Sequence, residues 1–417
     1  MNKVIFLIDI DAFFAQAEEI RNPEYKGKSI VVGHFMNGRG VITTGNYKVR
    51  ELMGGSVSGM PYHKVKRVIS DLIIVEPDYE YYSELTESLA QILKSYCTEL
   101  EPSSIDEYYL DVTKIAHKYS SVENLADKIR IRILKELNLT VSIGVSDNKI
   151  LAKMASSMNK PFGTTILFKD SLKTKLWPLK ISKLHMCGRA TTQVMEENSI
   201  YRIGDLAKLK VSDNKYQVLE NRLGKSLDKL YSYSRGISEN TLNVEKHKLA
   251  SVSKHKTMTH DISDYDMARE ELNKLIIDVV DRMKYRNLVG KTVYIQTKLK
   301  VWTLSSFQKT LKKHTDSIDV IASNIIELFD KYWETEPEVR FLGIGVSNLV
   351  DKMYYSEQRS FWEEKEPGKP EEDFVKYLNH RIGYRTFITL EMYDNFKQYH
   401  DKRISSNDRI AFKRWDK

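Results

Sequence analysis

Cysteine is scarce: the 417 residues carry two, Cys97 and Cys187, and their wide separation fits no metal-ligand spacing. Neither a disulfide framework nor a cysteine-built zinc site is available, so both read as packing residues and a reducing, cytoplasmic setting is expected. Long apolar runs are missing as well. No stretch reaches the roughly 18 residues of a membrane span, and the apolar run at residues 4–10 is too short and too acidic for a signal peptide. Internal repeats are absent too.

What remains is the balance of a soluble globular protein, 41% hydrophobic and 29% charged. The chain exceeds the roughly 250–300 residues at which single cores stop growing, so about two to four domains are expected. Lysine and arginine number 65 against 57 acids, a net charge of +8 that favours a polyanionic partner such as nucleic acid.

Val4-Ile5-Phe6-Leu7-Ile8 is a near-continuous, partly β-branched run and reads as a central strand buried on both faces. It delivers Asp9 to the strand's end. Asp11 then precedes a helix-forming run and suits the N-cap position. Short strands, Gly-rich turns and a small helix near residues 47–53 follow, and the segment 79–100 is amphipathic and helical. A strand over 105–112, a helix over 125–137, a strand over 140–145 and a helix over 148–158 complete an α+β sheet domain. Helices dominate 169–236, and residues 237–246 read as a polar linker. From 247 to 349 the order strand, helix, strand, strand, helix, strand builds an antiparallel sheet backed by two helices. Residues 350–417 open with a polar, Pro- and Glu-containing stretch.

Asp106 and Glu107 are adjacent carboxylates beside a turn in a β-prone setting. Successive strand side chains point to opposite faces, so both serve one site only where the chain bends. Alone, such a pair reads as a solvated turn; Asp9, at the end of a buried strand, is what changes the reading. Three carboxylates on sheet ends suit two Mg²⁺ ions, because hard cations take oxygen ligands and a triphosphate supplies the rest. Cationic groups should face them. Tyr47 and Arg50 fall three apart on one face of a helix-like segment, and Lys160 ends a helix before Pro161.

A series of motifs, in order along the chain, resembles the Y-family DNA polymerases. They are Asp9-Ile10-Asp11-Ala12-Phe13-Phe14, Thr43-Thr44-Gly45-Asn46-Tyr47-Lys48-Val49-Arg50, Gly59-Met60-Pro61 and Pro77-Asp78-Tyr79. They continue with Ser104-Ile105-Asp106-Glu107, Ser142-Ile143-Gly144-Val145-Ser146, Asn148-Lys149-Ile150-Leu151-Ala152-Lys153 and Asn159-Lys160-Pro161. The resemblance implies an α+β right hand: palm at 1–10 and 76–168, fingers at 11–75, helical thumb at 169–236 and a little finger at 247–349. It implies low-fidelity, lesion-bypassing synthesis on primer-template DNA from deoxynucleoside triphosphates, without proofreading, by a monomer.

Carried over by residue, the resemblance makes Asp9, Asp106 and Glu107 the catalytic metal ligands, assisted by the Ile10 carbonyl. Phe14 becomes the steric gate against a ribose 2′-hydroxyl. Thr44, Tyr47, Arg50, Lys160 and the Phe13 amide hold the triphosphate. Gly188 and Arg189 fall where the family carries a thumb helix-hairpin-helix with two glycines, of which only Gly188 remains, so fewer backbone amides are expected near phosphates. Lys254, Lys256, Lys298, Lys300 and Lys309 flank little-finger strands that could track DNA. Gln358, Phe361 and Trp362 resemble a divergent sliding-clamp peptide, an otherwise unexplained aromatic pair on a polar segment. Other readings are a relative needing accessory subunits, a cyclase-type palm enzyme, or a non-catalytic DNA-binding scaffold. The cyclase reading leaves the thumb and basic little finger unexplained, and the scaffold reading leaves the three acids unexplained.

Overall fold

The computed structural model describes residues 3–36, 39–97, 99–244, 249–298, 304–335, 337–353 and 355. The chain divides into two compact units, Met1–His247 and Lys248–Lys417.

The first unit opens with β1 (Ile5–Ile10) and α1 (Phe13–Arg21). A small module follows: β2 (Ile30–Met36), β3 (Arg39–Gly45), α2 (Tyr47–Leu52), α3 (Tyr62–Lys66) and β4 (Ile73–Val75). Next come α4 (Tyr79–Lys94), β5 (Leu100–Pro102), β6 (Glu107–Asp111), α5 (Thr113–Ala116) and α6 (Val122–Leu137). β7 (Val141–Ser146), α7 (Lys149–Ser156) and β8 (Thr164–Ile166) close the sheet region. The unit ends in four short helices, α8 (Arg189–Glu197), α9 (Ile203–Ala207), α10 (Asn214–Leu223) and α11 (Lys225–Ser234).

Two sheets organise this unit. The larger has the order β5-β6-β1-β7-β8, so the apolar first run lies at its centre, antiparallel to both neighbours. Alternation along β1 sorts its side chains. Phe6, Ile8 and Ile10 join the core beneath α4 and α6, whereas Ile5 and Leu7 pack with Tyr109 and with Ala152 of α7. Asp9 shares the parity of Ile5 and Leu7 and therefore faces the α7 side. The smaller sheet, β3-β2-β4, has its own core around Val31, Ile42, Val49 and Val65. The helical segment packs around Leu176, Met195, Leu206, Leu219 and Leu230.

The second unit contains β9 (Ser251–Ile262), α12 (Tyr265–Tyr285), β10 (Leu288–Lys298), β11 (Leu304–Thr315), α13 (Ile318–Thr335) and β12 (Val339–Asp351). Its sheet runs β11-β10-β12-β9, antiparallel throughout, and both helices cover one face. The strand, helix, strand, strand, helix, strand order expected from periodicity is the order observed.

Local expectations fail at four places, one being that α7 stops at Ser156, so Lys160 stands in the loop beyond it and does not end a helix. α4 stops at Lys94, because Leu100–Pro102 is drawn into the sheet as an edge beside β6. The strand expected from residue 105 begins only at Glu107, leaving Asp106 in a bend. Asp11 does not cap α1; the cap position is Ala12, in the left-handed region at φ 45°, with no side-chain cap bond. That turn rotates Asp11 inward, where it finds three donors.

Candidate active site

β1 and β6 pair so that Asp9 stands opposite Glu107, which puts both carboxylates on the α7 face of the sheet. Asp106 reaches the same place from the bend before β6. The Ile10 amide donates to the Asp106 carbonyl at 3.0 Å, and Ser104 Oγ donates to Asp106 Oδ1 at 2.5 Å. One oxygen from each of Asp9, Asp106 and Glu107 lies within 4.8 Å of the others. An all-carboxylate donor set of this spacing fits a hard divalent cation and not a soft one. Burial pushes the Asp9 carboxyl up to about 6, against the downward pull of Lys160 and Lys153.

Two lysines reach these acids. Lys160 pairs with Asp9 and lies 3.8 Å from Asp11. Lys153 pairs with Glu107 and lies 3.7 Å from Asp9 Oδ2. Lys153 is carried by α7, whose start is capped by Asn148 Oδ1 accepting from the Leu151 amide at 3.0 Å. α7 also lies very close to β7: a Cβ on Gly144 would sit 1.9 Å from the Ala152 carbonyl oxygen. One turn before Lys153, Lys149 pairs with Glu101 of β5 at 2.7 Å.

Asp11 is 2% exposed and accepts from Ser142 Oγ at 2.8 Å, the Phe162 amide at 2.8 Å and Tyr47 Oη at 3.2 Å. Three donors satisfy a buried carboxylate far better than a helix cap at the solvent edge would. Tyr47 links this centre to α2. There Arg50 Nε donates to the Gly45 carbonyl at 2.9 Å and Nη2 to Thr44 Oγ1 at 3.3 Å, and the guanidinium lies 5.0 Å from the centre of the Tyr47 ring. Burial and the neighbouring Asp11 push the Tyr47 hydroxyl far above its usual range, so it stays a donor. Thr44, Tyr47 and Arg50 thus form one cluster, joined through Asp11 to Lys160.

Phe13 is buried in the core beneath α4 and α6, and as the first residue of α1 its amide has no intrahelical acceptor. Phe14 is half-buried and packs on Tyr79 and Tyr82.

Gly188 caps α8 and Arg189 follows it, exposed. Met186, two residues before Gly188, holds φ 69°. In the second unit, Lys254, Lys256 and Lys309 stand opposite Ile344, Leu342 and Val293, which are core residues, so all three lie on the helix-covered side of the sheet. Lys256 pairs with Glu271 of α12 at 2.5 Å and Lys309 with Glu327 of α13. Lys298 has the opposite parity and lies 5.0 Å from the centre of the Phe341 ring. Lys300, Gln358, Phe361 and Trp362 lie outside the described residues.

Sequence reasoning assigned no role to Lys153 and read Asp11 as a cap. For Lys153 a signal existed: two lysines four apart on a helix whose intervening residues are all apolar.

Residues 8–157 match the impB/mucB/samB family, and residues 250–360 match the impB/mucB/samB family C-terminal domain. A curated DNA polymerase IV of Bacillus velezensis is 34% identical over 385 residues, spanning 91% of this chain and 91% of that protein. One from Clostridium kluyveri is 36% identical over 351 residues, 84% of this chain and 86% of that protein. Among solved structures, a Y-family DNA polymerase chimera aligns with a TM-score of 0.72 at 27% identity, covering 83% of this chain and 99% of that chain. An insertion ternary complex of the Dbh DNA polymerase aligns at 0.57 and 26% identity with the same coverage.

Proposed function

The chain belongs to the Y-family DNA polymerases, the impB/mucB/samB family, and from that we propose how its residues divide the work. It is a template-directed DNA polymerase of the low-fidelity, translesion class. The reaction is attack of a primer 3′-hydroxyl on the α-phosphorus of a deoxynucleoside triphosphate, with loss of pyrophosphate.

Asp9, Asp106 and Glu107, with the Ile10 carbonyl, hold two Mg²⁺ ions. When bound, the ions supply Lewis acidity at the reacting phosphate and neutralise charge on the leaving pyrophosphate. Arg50, Tyr47, Thr44 and Lys160 grip the triphosphate together with the Phe13 amide, and Phe14 closes the space a ribose 2′-hydroxyl needs. The palm comprises 1–10 and 76–168, the fingers 11–75, the thumb 169–236 and the little finger 247–349. Gly188, Arg189 and Lys298 contact DNA. Lys254, Lys256 and Lys309 are the weaker candidates, since they lie on the helix-covered side of their sheet. Gln358, Phe361 and Trp362 dock on a sliding clamp, and the enzyme works as a cytoplasmic monomer without proofreading.

The observation that carries this reading is the convergence of three carboxylates within 4.8 Å, with Lys160 alongside and the Tyr47–Arg50 cluster joined through Asp11. The test is primer extension by the purified chain alone, on intact and damaged templates, with Mg²⁺ and with chelator. Extension past lesions that requires Mg²⁺ supports it. No extension without added protein subunits would favour the accessory-dependent relative, and no extension under any condition would favour the scaffold.

A further inference from the structure

Two ammonium groups stand among the proposed metal ligands, and they occupy different places. Lys160 lies toward Asp11, pairing with Asp9 Oδ1. Lys153 lies between ligands: it pairs with Glu107 and is 3.7 Å from the other Asp9 oxygen. Because the ligand oxygens lie within 4.8 Å of one another, an ammonium touching two of the acids takes space and charge that a divalent cation would need.

Lys153 is not a solvated surface lysine. Its side chain is 21% exposed, and the helix that carries it is buried along Ile150, Leu151, Ala152, Met154 and Ala155. The close approach at Gly144 and the Lys149–Glu101 pair hold α7 in place over the sheet. The acids it serves are also enclosed, Asp9 at 9% and Glu107 at 17% side-chain exposure. Enclosed carboxylates this close together need a cation, and Lys153 stands where one is needed.

We propose that Lys153 is a displaceable internal counter-ion. It holds Asp9 and Glu107 in place before metal arrives and competes with the divalent ion for them. This rests on the reading that Asp9, Asp106 and Glu107 hold metal. Lys153 is therefore a positioning residue whose removal strengthens metal binding while weakening the metal-free fold.

Direct Mn²⁺ titration of the full chain, followed by electron paramagnetic resonance without DNA or nucleotide, tests it. Lys153→Met should bind Mn²⁺ roughly tenfold more tightly than wild type, because an opposing charge a few ångströms away is gone. Lys153→Arg, which keeps the charge, should stay near wild type. The melting temperature of Lys153→Met should fall in chelator, and the gap to wild type should narrow in saturating Mn²⁺. Unchanged or weaker Mn²⁺ binding by folded Lys153→Met overturns the proposal. Should that variant not fold, amine labelling of wild-type Lys153 decides: Mn²⁺ should speed its modification, and no change overturns the idea. Asp106→Asn separates the two levels. If it abolishes Mn²⁺ binding while Lys153→Met alters nothing, only the role of Lys153 falls; if it has no effect, the metal assignment falls with it.

Discussion

The ring of Phe14 lies flat on that of Tyr82, with centroids 4.6 Å apart and planes 14° apart. Tyr82 is fully buried and donates its hydroxyl to Glu18 at 2.7 Å, while Tyr79 meets Phe14 edge-on at 5.8 Å. A ring so backed has little room to retreat, as the proposed gate requires. Phe14→Ala should raise ribonucleotide incorporation about 10–100-fold relative to deoxynucleotide, measured as single-nucleotide kcat/KM. Unaltered sugar discrimination would remove Phe14 from the gate.

Asp106 is held by Ser104 and by the Ile10 amide, so its carboxylate is aimed by the bend and not by a strand. Asp106→Ala should cut incorporation by about a thousandfold or more, the equivalent of several kcal/mol of lost charge stabilisation. DNA affinity, read by fluorescence anisotropy, should stay within a few-fold. Near-normal extension by the variant would refute the ligand assignment.

Gly144 leaves no room for a side chain, its would-be Cβ meeting backbone and not a yielding side chain. Gly144→Ala should cost about 3 kcal/mol or fail to fold, because α7 must move off the sheet. Denaturant melts give the number, and a loss below about 0.5 kcal/mol would contradict the packing described.

Met186 keeps a left-handed backbone, φ 69°, and is 52% exposed. Little burial is lost on shortening it. Met186→Gly should stabilise the protein by about 0.5–1 kcal/mol, the relief of strain exceeding the extra freedom of the unfolded chain. A destabilised variant in the same melts would show that the thioether packs in solution.

Burial raises the Asp9 carboxyl from 3.8 to about 6 in the metal-free protein. The folded state therefore prefers the protonated acid: the associated stability is complete below pH 3.8 and is lost as pH rises through about 6. In chelator, Asp9→Asn should gain on wild type across that window, by about 2–3 kcal/mol in total, and level off above it. A difference that does not vary with pH would place Asp9 in a more solvated setting.

The element order and the three acids that the fold brings together were legible in the sequence. The apolar run at residues 4–8 was long enough to mark a strand buried on both faces, and the helix periods of the second unit were unbroken. Less legible was anything set by contacts distant in the chain. The end of α4 depended on Leu100–Pro102 finding β6, and the role of Asp11 depended on Ser142 and Phe162, more than a hundred residues away.

By itself the sequence determined that three carboxylates, a lysine before a proline and a Tyr–Arg pair were present on elements able to carry them. Only the tertiary structure decided that Lys153 lies between Asp9 and Glu107, and that Lys256 and Lys309 are paired with their own helices. The reason is physical: local periodicity reports which face of an element is apolar, whereas the partner a charge finds depends on what the folded chain brings within a few ångströms of it.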